Sequence, residues 1–476
     1  MASTNPQNGL TELESFLPQD NSIENGVKKY KITKANDLET ANLNVDPFKS
    51  RNSKNSVSDA ATLTHLLKAS LGSGILSMPA AFFGSGLVLG IFASIAISII
   101  CTHCAYILVT SAHELYRKTG KPQMTFPEVA EEACLNGPPW AHKFASSARK
   151  IILAGLFVTY FMIASCYSVI MSENFNYVIN YHLGYTIEIR ITIAIMMVPL
   201  ILLAYVPNLK YLVPFSMVAN IFMAIGLGIT LYYLAIDVPS ISERNLITQD
   251  ITTFPVFISI TIFALEAIGV IMPLENNMKT PQHFTGLCGV LNQGMGGVTL
   301  AYIIVGFFGY LKYGPEVQGA ITLNLPIEDY AAQTVNILIG AAVFCTFGLQ
   351  FYVCLEIGWN AVKDRYTNNP TMAQYILRTV MVVSCVSIAI AVPRIVPFVS
   401  LIGAFCFSLL GLVAPILIEI VTFWDKGFGK FYWKIVKNVI VILTAVLALI
   451  FGSKGAIEDI VKIYTTDNIA VNSTGT

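Results

Sequence analysis

The stretch from Ala61 to Phe83 is apolar enough to enter a bilayer, yet it carries Gly72-Ser73-Gly74 and then Pro79 near its middle. Hydrocarbon supplies no water to satisfy free N–H and C=O groups. A helix broken at mid-depth survives only where the freed backbone is buried in protein or lines a cavity. The break therefore points to a binding site, and the ionisable His65 lies two helical turns before it.

Hydrophobic residues make up 54% of the 476 and charged residues 12%. With a mean hydropathy of +0.63, this excludes a soluble multi-domain enzyme and marks an all-α polytopic membrane protein whose surroundings are the lipid bilayer. The formal net charge is +0, so nucleic acid is not expected as a partner. Residues 1–58 are polar, lack the apolar core of a signal peptide and read as a disordered tail. Seven cysteines, Cys101, Cys104, Cys166, Cys345, Cys354, Cys385 and Cys406, fall in apolar stretches and read as small hydrophobes. Cys101-Thr-His-Cys104 has redox or metal spacing, but on an apolar helix without a second pair nearby it reads as packing, and no metal is expected.

Apolar runs close to the roughly 20 residues that span a bilayer occur at 61–83, 87–114, 149–180, 189–206, 212–236, 253–273, 287–311, 331–361, 374–393, 396–421 and 433–453, eleven in all. They form a transporter-sized domain over 59–455, followed by a short tail at 456–476. Eleven is odd, so the termini fall on opposite sides. With the N-terminus inside, 22 of the 29 Lys and Arg lie on the cytoplasmic side, six lie outside and Lys68 sits within the first span. The positive-inside rule thus predicts a cytoplasmic N-terminus. It leaves Asn472, in the sequon Asn472-Ser-Thr, outside as a candidate glycosylation site. The amphipathic segment from Thr125 to Cys134 is expected as an interfacial helix on the cytoplasmic side.

The sixth span repeats the anomaly of the first. Ser259 to Pro273 holds a mid-span Gly269 followed by Pro273, with the carboxylate of Glu266 at its centre. The two interruptions open two five-span blocks, about 61–236 and 253–421, with 433–453 as an extra helix. Because five is odd, the second block must run opposite to the first. Paired interruptions in an inverted repeat are the sequence sign of a secondary transporter site.

The stretches Leu63-Thr-His65-Leu-Leu-Lys68-Ala-Ser-Leu-Gly72-Ser-Gly74, Ala264-Leu-Glu266-Ala-Ile-Gly269, Met272-Pro-Leu-Glu275-Asn276, Ile321-Thr-Leu-Asn324-Leu-Pro326 and Leu349-Gln350-Phe-Tyr352 resemble the proton-coupled amino acid transporters of the amino acid/auxin permease group. The resemblance runs from about Ala60 to Ile463. It implies the five-plus-five fold of the leucine-transporter type, with helices 1 and 6 broken, and proton-driven symport of amino acids, small neutral ones above all. No cofactor is implied beyond the coupling proton. Some animal members carry an extracellular cysteine pair; residues 180–190 and 326–333 contain no cysteine here, so that disulfide is not expected.

An amino acid is a zwitterion, and burying either charge unpaired is costly. Backbone N–H groups at Gly72, Ser73 and Gly74, with Ile75 opening the following half-helix, suit its carboxylate. Carbonyls around Phe263, Ala264 and Glu266, before Gly269, suit its ammonium. In the resembling family the histidine at the position of His65 is implicated in proton coupling; Glu266 is the other candidate, able to carry the proton, bind the ammonium or anchor Lys68, and His103 is the second choice. His113, His142, His182 and His283 fall at helix ends or loops and read as solvated.

An intramembrane enzyme is excluded on inventory: no Asp lies inside a span and Gly-x-Ser-Gly does not occur. The rival reading is an amino acid sensor, or transceptor, that signals nutrient status with little net flux. A plasma or endolysosomal membrane is expected. The sequence itself fixes neither the cargo nor an oligomeric state.

Overall fold

The computed structural model describes Phe48, Arg51 and residues 56–207, 211–366, 369–427 and 433–474. Among these residues the regular structure is helical, apart from one parallel bridge between Val57 and Met278.

The first apolar stretch is two helices, α1 (Asp59–Ser70) and α2 (Gly74–Ser85), bent by 59° at the glycine pair. Ser58 caps α1 by accepting from the Ala61 N–H. Gly86, at φ 85°, turns the chain directly from α2 into α3 (Leu87–Thr119), a conformation that a side chain would strain. The amphipathic segment that follows is the helix α4 (Phe126–Leu135), opened by a capping box in which Thr125 and Glu128 satisfy each other's backbone N–H. Its apolar face, Phe126, Val129, Ala130 and Ala133, packs against α5 (Ala145–Leu183).

Next come α6 (Ile189–Ala204), α7 (Val213–Ala235), α8 (Phe254–Leu265), α9 (Ile268–Asn277), α10 (Val290–Tyr313), α11 (Tyr330–Val362) and α12 (Pro370–Ala391). The tenth stretch is α13 (Ile395–Leu401), a π-helical segment Ile402–Val413 and α14 (Ala414–Thr422). The last is α15 (Trp433–Leu447), a short π-helical segment Ala448–Gly452 and α16 (Ser453–Thr474).

All eleven apolar stretches are helical, but they differ in reach. Nine among the described residues are long and apolar enough to cross a bilayer, and the bent α1–α2 pair makes up to ten. The remaining helix, α6, has 16 residues, about 24 Å at 1.5 Å per residue, against a hydrocarbon core of ~30 Å. It ends early for a local reason. Pro207 disfavours helix at the residue before it, and the buried Arg378 guanidinium on α12 takes the carbonyls of Ala204 and Val206 at 2.5 and 2.7 Å.

The second broken stretch and the tenth stretch lie inside the bundle. In the most apolar window of residues 251–277, 61% is buried, and for 395–422 the figure is 67%, against 22% for α7 and 28% for the last stretch. Helices α7 and α15 therefore face lipid, while α2 lies between α8 and α10. Basic side chains close helix ends: Arg244 donates to the carbonyls of Leu311 and Lys312, and Lys312 to those of Tyr233 and Ile236.

The chain from 456 onward is helical through Thr474 and packs against α13. Asn472 falls on that helix, outside the residues whose side chains are described. Most of the N-terminal tail lies outside the described residues, yet Phe48 and Arg51 within it are half-buried against helix ends.

Candidate functional site

The first break is a tight turn. The N–H of Leu71 closes α1 on the Leu67 carbonyl, and the N–H of Gly72 bends back to Ser70 at 2.9 Å. The N–H of Gly72 is thus spent within the turn. Ser73 and Gly74 stand at the start of α2, where backbone N–H groups point out of the helix end. A Cβ on Gly72 would enter open space, whereas a Cβ on Gly74 would lie 2.8 Å from the Ala264 Cα. Gly74 is therefore where the first break touches the second.

The second break is made by a carboxylate. Glu266 is extended, at φ −80° and ψ 125°, and its Oε1 accepts from the N–H groups of Ala267 and Ile268 at 3.0 and 2.9 Å. In a continuous helix those two N–H groups would serve the carbonyls of Phe263 and Ala264. The side chain has taken them, so the two carbonyls lose their helical donors. The break thus lies at Glu266–Ala267, next to the carbonyls expected to be free, and ahead of Gly269. Gly269 sits inside α9 and makes room for Tyr160 of α5, whose hydroxyl would lie 2.5 Å from a Cβ there.

Glu266 is buried, and its other oxygen, Oε2, has no hydrogen-bond partner. It faces Gly411 on the π-helical segment, where a Cβ would collide with the carboxylate. The Cys101 thiol of α3 lies beside the carboxylate. Lys68 is exposed, so it is not the partner that Glu266 anchors. Glu114 and Glu419, by contrast, are ion-paired to Lys426 and Lys437.

Tyrosines from other helices complete the walls. The Tyr302 hydroxyl on α10 donates to the Ser70 carbonyl at 2.5 Å and so satisfies the broken end of α1. The Tyr167 hydroxyl on α5 lies beside the Ser73 hydroxyl and Gln350 of α11. Ile75 and Phe263 are buried, and the Phe263 ring packs on Phe407 with centroids 6.0 Å apart. Tyr160, Tyr167, Tyr302, Gly411 and Cys101 carry no signal of this role in sequence, because helix packing alone brings them here.

The histidines separate. His65 is half-buried on α1. His103, half-buried on α3, stacks on Tyr106 at 6.0 Å, and its buried Nε2 has no hydrogen-bond partner. His113 is not solvated: it is buried, with Nε2 2.8 Å from Glu275 Oε1, a hydrogen-bonding partner on α9 that offsets its burial. His182 and His283 are exposed but bonded to Gln333 and Asp59.

Two interrupted spans that meet at mid-bundle, each offering unspent backbone groups, are the way membrane transporters frame a substrate site. Residues 56–458 match the family described as transmembrane amino acid transporter protein, and the chain belongs to that family. Proton-coupled amino acid transporter-like protein pathetic of Drosophila melanogaster is 54% identical over 459 residues, 96% of each chain. Probable amino acid transporter skat-1 of Caenorhabditis elegans is 24% identical over 421 residues, 85% of this chain and 90% of its own. Mhp1, a nucleobase-cation-symport-1 family transporter solved closed with bromovinylhydantoin bound, aligns with a TM-score of 0.50 at 13% identity, covering 88% of this chain and 96% of its own. That likeness shows the fold alone. The family and relatives are transporters, and this chain is not an enzyme.

Proposed function

We infer that the chain is a proton-coupled symporter of small neutral amino acids that works by alternating access. One observation carries this reading: the two breaks touch at Gly74 and Ala264, and the buried Glu266 beside them has one oxygen capping α9 and the other unpartnered. The substrate carboxylate is held at the start of α2 by the N–H groups of Ser73 and Gly74, aided by the helix dipole. Its ammonium is held by the carbonyls of Phe263 and Ala264. The open space at Gly72 lets the substrate approach the backbone.

Glu266 is the proton carrier in this reading. As a carboxylate it is a buried charge with one bare oxygen, which is costly to carry through a conformational change; with a proton bound that cost falls. Loaded with both proton and amino acid the site reorients readily, whereas with amino acid bound and Glu266 still charged it does not; once both are released, water fills the site and the emptied carrier returns. His65 relays the proton on the α1 side of the break, and His103 is the alternative relay. Read with α6 as a crossing helix, eleven spans form two inverted blocks with the N-terminus in the cytoplasm.

The name of the 54% identical fly relative supports proton coupling and amino acid cargo. Purified protein in liposomes under an inward-acid gradient is expected to accumulate a labelled small neutral amino acid, and a protonophore to abolish it. Binding without accumulation would favour the sensor, and flat uptake across a broad amino acid panel would end the transport reading.

A further inference from the structure

A second buried charged cluster lies outside the site, at the end of the bundle where α1 begins and α3 and α9 finish. Glu275, fully buried near the end of α9, receives three side chains. The Arg51 guanidinium donates to its Oε1 at 2.9 Å and to its backbone carbonyl at 3.1 Å. His113 Nε2 lies 2.8 Å from Oε1, and the Tyr116 hydroxyl donates to Oε2 at 3.1 Å. Arg51 also donates to the Pro122 carbonyl at 2.7 Å, in the connection from α3 to α4. Its guanidinium stacks over Tyr116 at 5.2 Å and Phe48 at 5.5 Å, while Phe48 meets His113 edge-on at 5.1 Å. The Arg51 side chain is only 6% exposed, so a residue of the polar tail has been drawn into the protein.

The next described residues are tied to the same place. The Val57 N–H donates to Asn277 at 2.8 Å, and its carbonyl accepts from Lys279 at 2.9 Å. Asp59, the first residue of α1, accepts from Thr280 and pairs with His283 at 2.7 Å. The start of the first broken span is therefore fastened to the end of the second, and Arg51 ties both to α3.

We propose that Arg51 is a latch: docked on Glu275 it holds this end of the bundle shut, and opening the site toward this face requires the Arg51–Glu275 pair to part. The proposal rests on the alternating-access reading for its consequence, since a protein that never opens here has no use for a latch. The energetics suit a two-position element. A buried ion pair with its hydrogen bonds made is stable, but withdrawing one partner leaves an uncompensated charge that favours a wetted, open arrangement. Arg51 lies before the start of α1, so parting the pair unfolds none of the described spans.

The test is hydrogen–deuterium exchange on the full chain in lipid nanodiscs without amino acid. Arg51→Ala is expected to speed amide exchange at least tenfold over 56–66, 113–119 and 274–284, leaving α12 unchanged. Deletion of residues 1–51, which leaves α1 intact, is expected to do the same and serves if the point variant folds poorly. Unchanged exchange in both variants, or an equal rise throughout the bundle, would overturn the latch. If exchange rises locally while the unaltered chain moves no amino acid in liposomes, the latch stands and the symport reading falls.

Discussion

Gly72 and Gly74 sit two residues apart and answer to different constraints. A methyl group at Gly72 would project into open space, and one at Gly74 would press on the Ala264 backbone. Gly72→Ala is therefore expected to leave the thermal midpoint nearly unchanged, within about 0.5 kcal/mol, while raising the KM for amino acid uptake tenfold or more. Gly74→Ala is expected to destabilise by roughly 1–3 kcal/mol, the cost of overpacking; a midpoint equal to that of the unaltered chain would refute the contact. Glu266→Gln keeps the shape and an acceptor oxygen but removes the titrating group. It should abolish gradient-driven accumulation and preserve exchange of labelled for unlabelled amino acid. For His65→Ala the same loss with intact abundance is expected, and normal pH dependence there would leave the coupling role with Glu266 or His103. Glycines are visible in sequence and show where each helix can yield, and the free carbonyls are expected around Phe263 to Glu266; what a glycine does not show is that the Glu266 side chain takes the N–H groups of Ala267 and Ile268.

Among the elements, the π-helical segment Ile402–Val413 matters most to the site. Gly403, Phe407 and Gly411 on it face Ser259 and Phe263 on α8 and Glu266 just past its end, with glycines where the backbones come closest. At Gly403 a Cβ would collide with the Ser259 carbonyl, a backbone atom that cannot swing aside. Gly403→Ala is expected to lower stability by roughly 1–3 kcal/mol and to slow uptake by shifting α8; a silent substitution would mean the two elements are not seated on each other. Arg378 acts between elements. Losing its bonds to the end of α6 should cost about 2 kcal/mol, the value of hydrogen bonds to a charged donor, measurable as a lower midpoint in detergent. Neither feature was legible in sequence. A π-helix has no apolar period that distinguishes it from an α-helix over three turns, and Arg378 reads as one more cytoplasmic charge.

At the scale of the whole molecule, hydropathy made the helical stretches readable, because lipid leaves few other ways to satisfy a backbone. All eleven are helical, and only the reach of α6 falls short by length. What hydropathy does not encode is which stretches are central. That follows from packing: the second broken stretch and the tenth stretch are enclosed, and tail residues such as Arg51 are recruited to close one end. The polar surroundings of Arg51 in sequence gave no hint of a buried partner 224 positions away. The central claim is that this bundle couples proton entry to amino acid movement through one site. Its most direct measurement is uptake of a labelled small neutral amino acid into liposomes of the purified chain, with the external side acid or with pH equal on both sides. Accumulation above equilibrium only under the gradient is the predicted result, and identical uptake in the two conditions would contradict it.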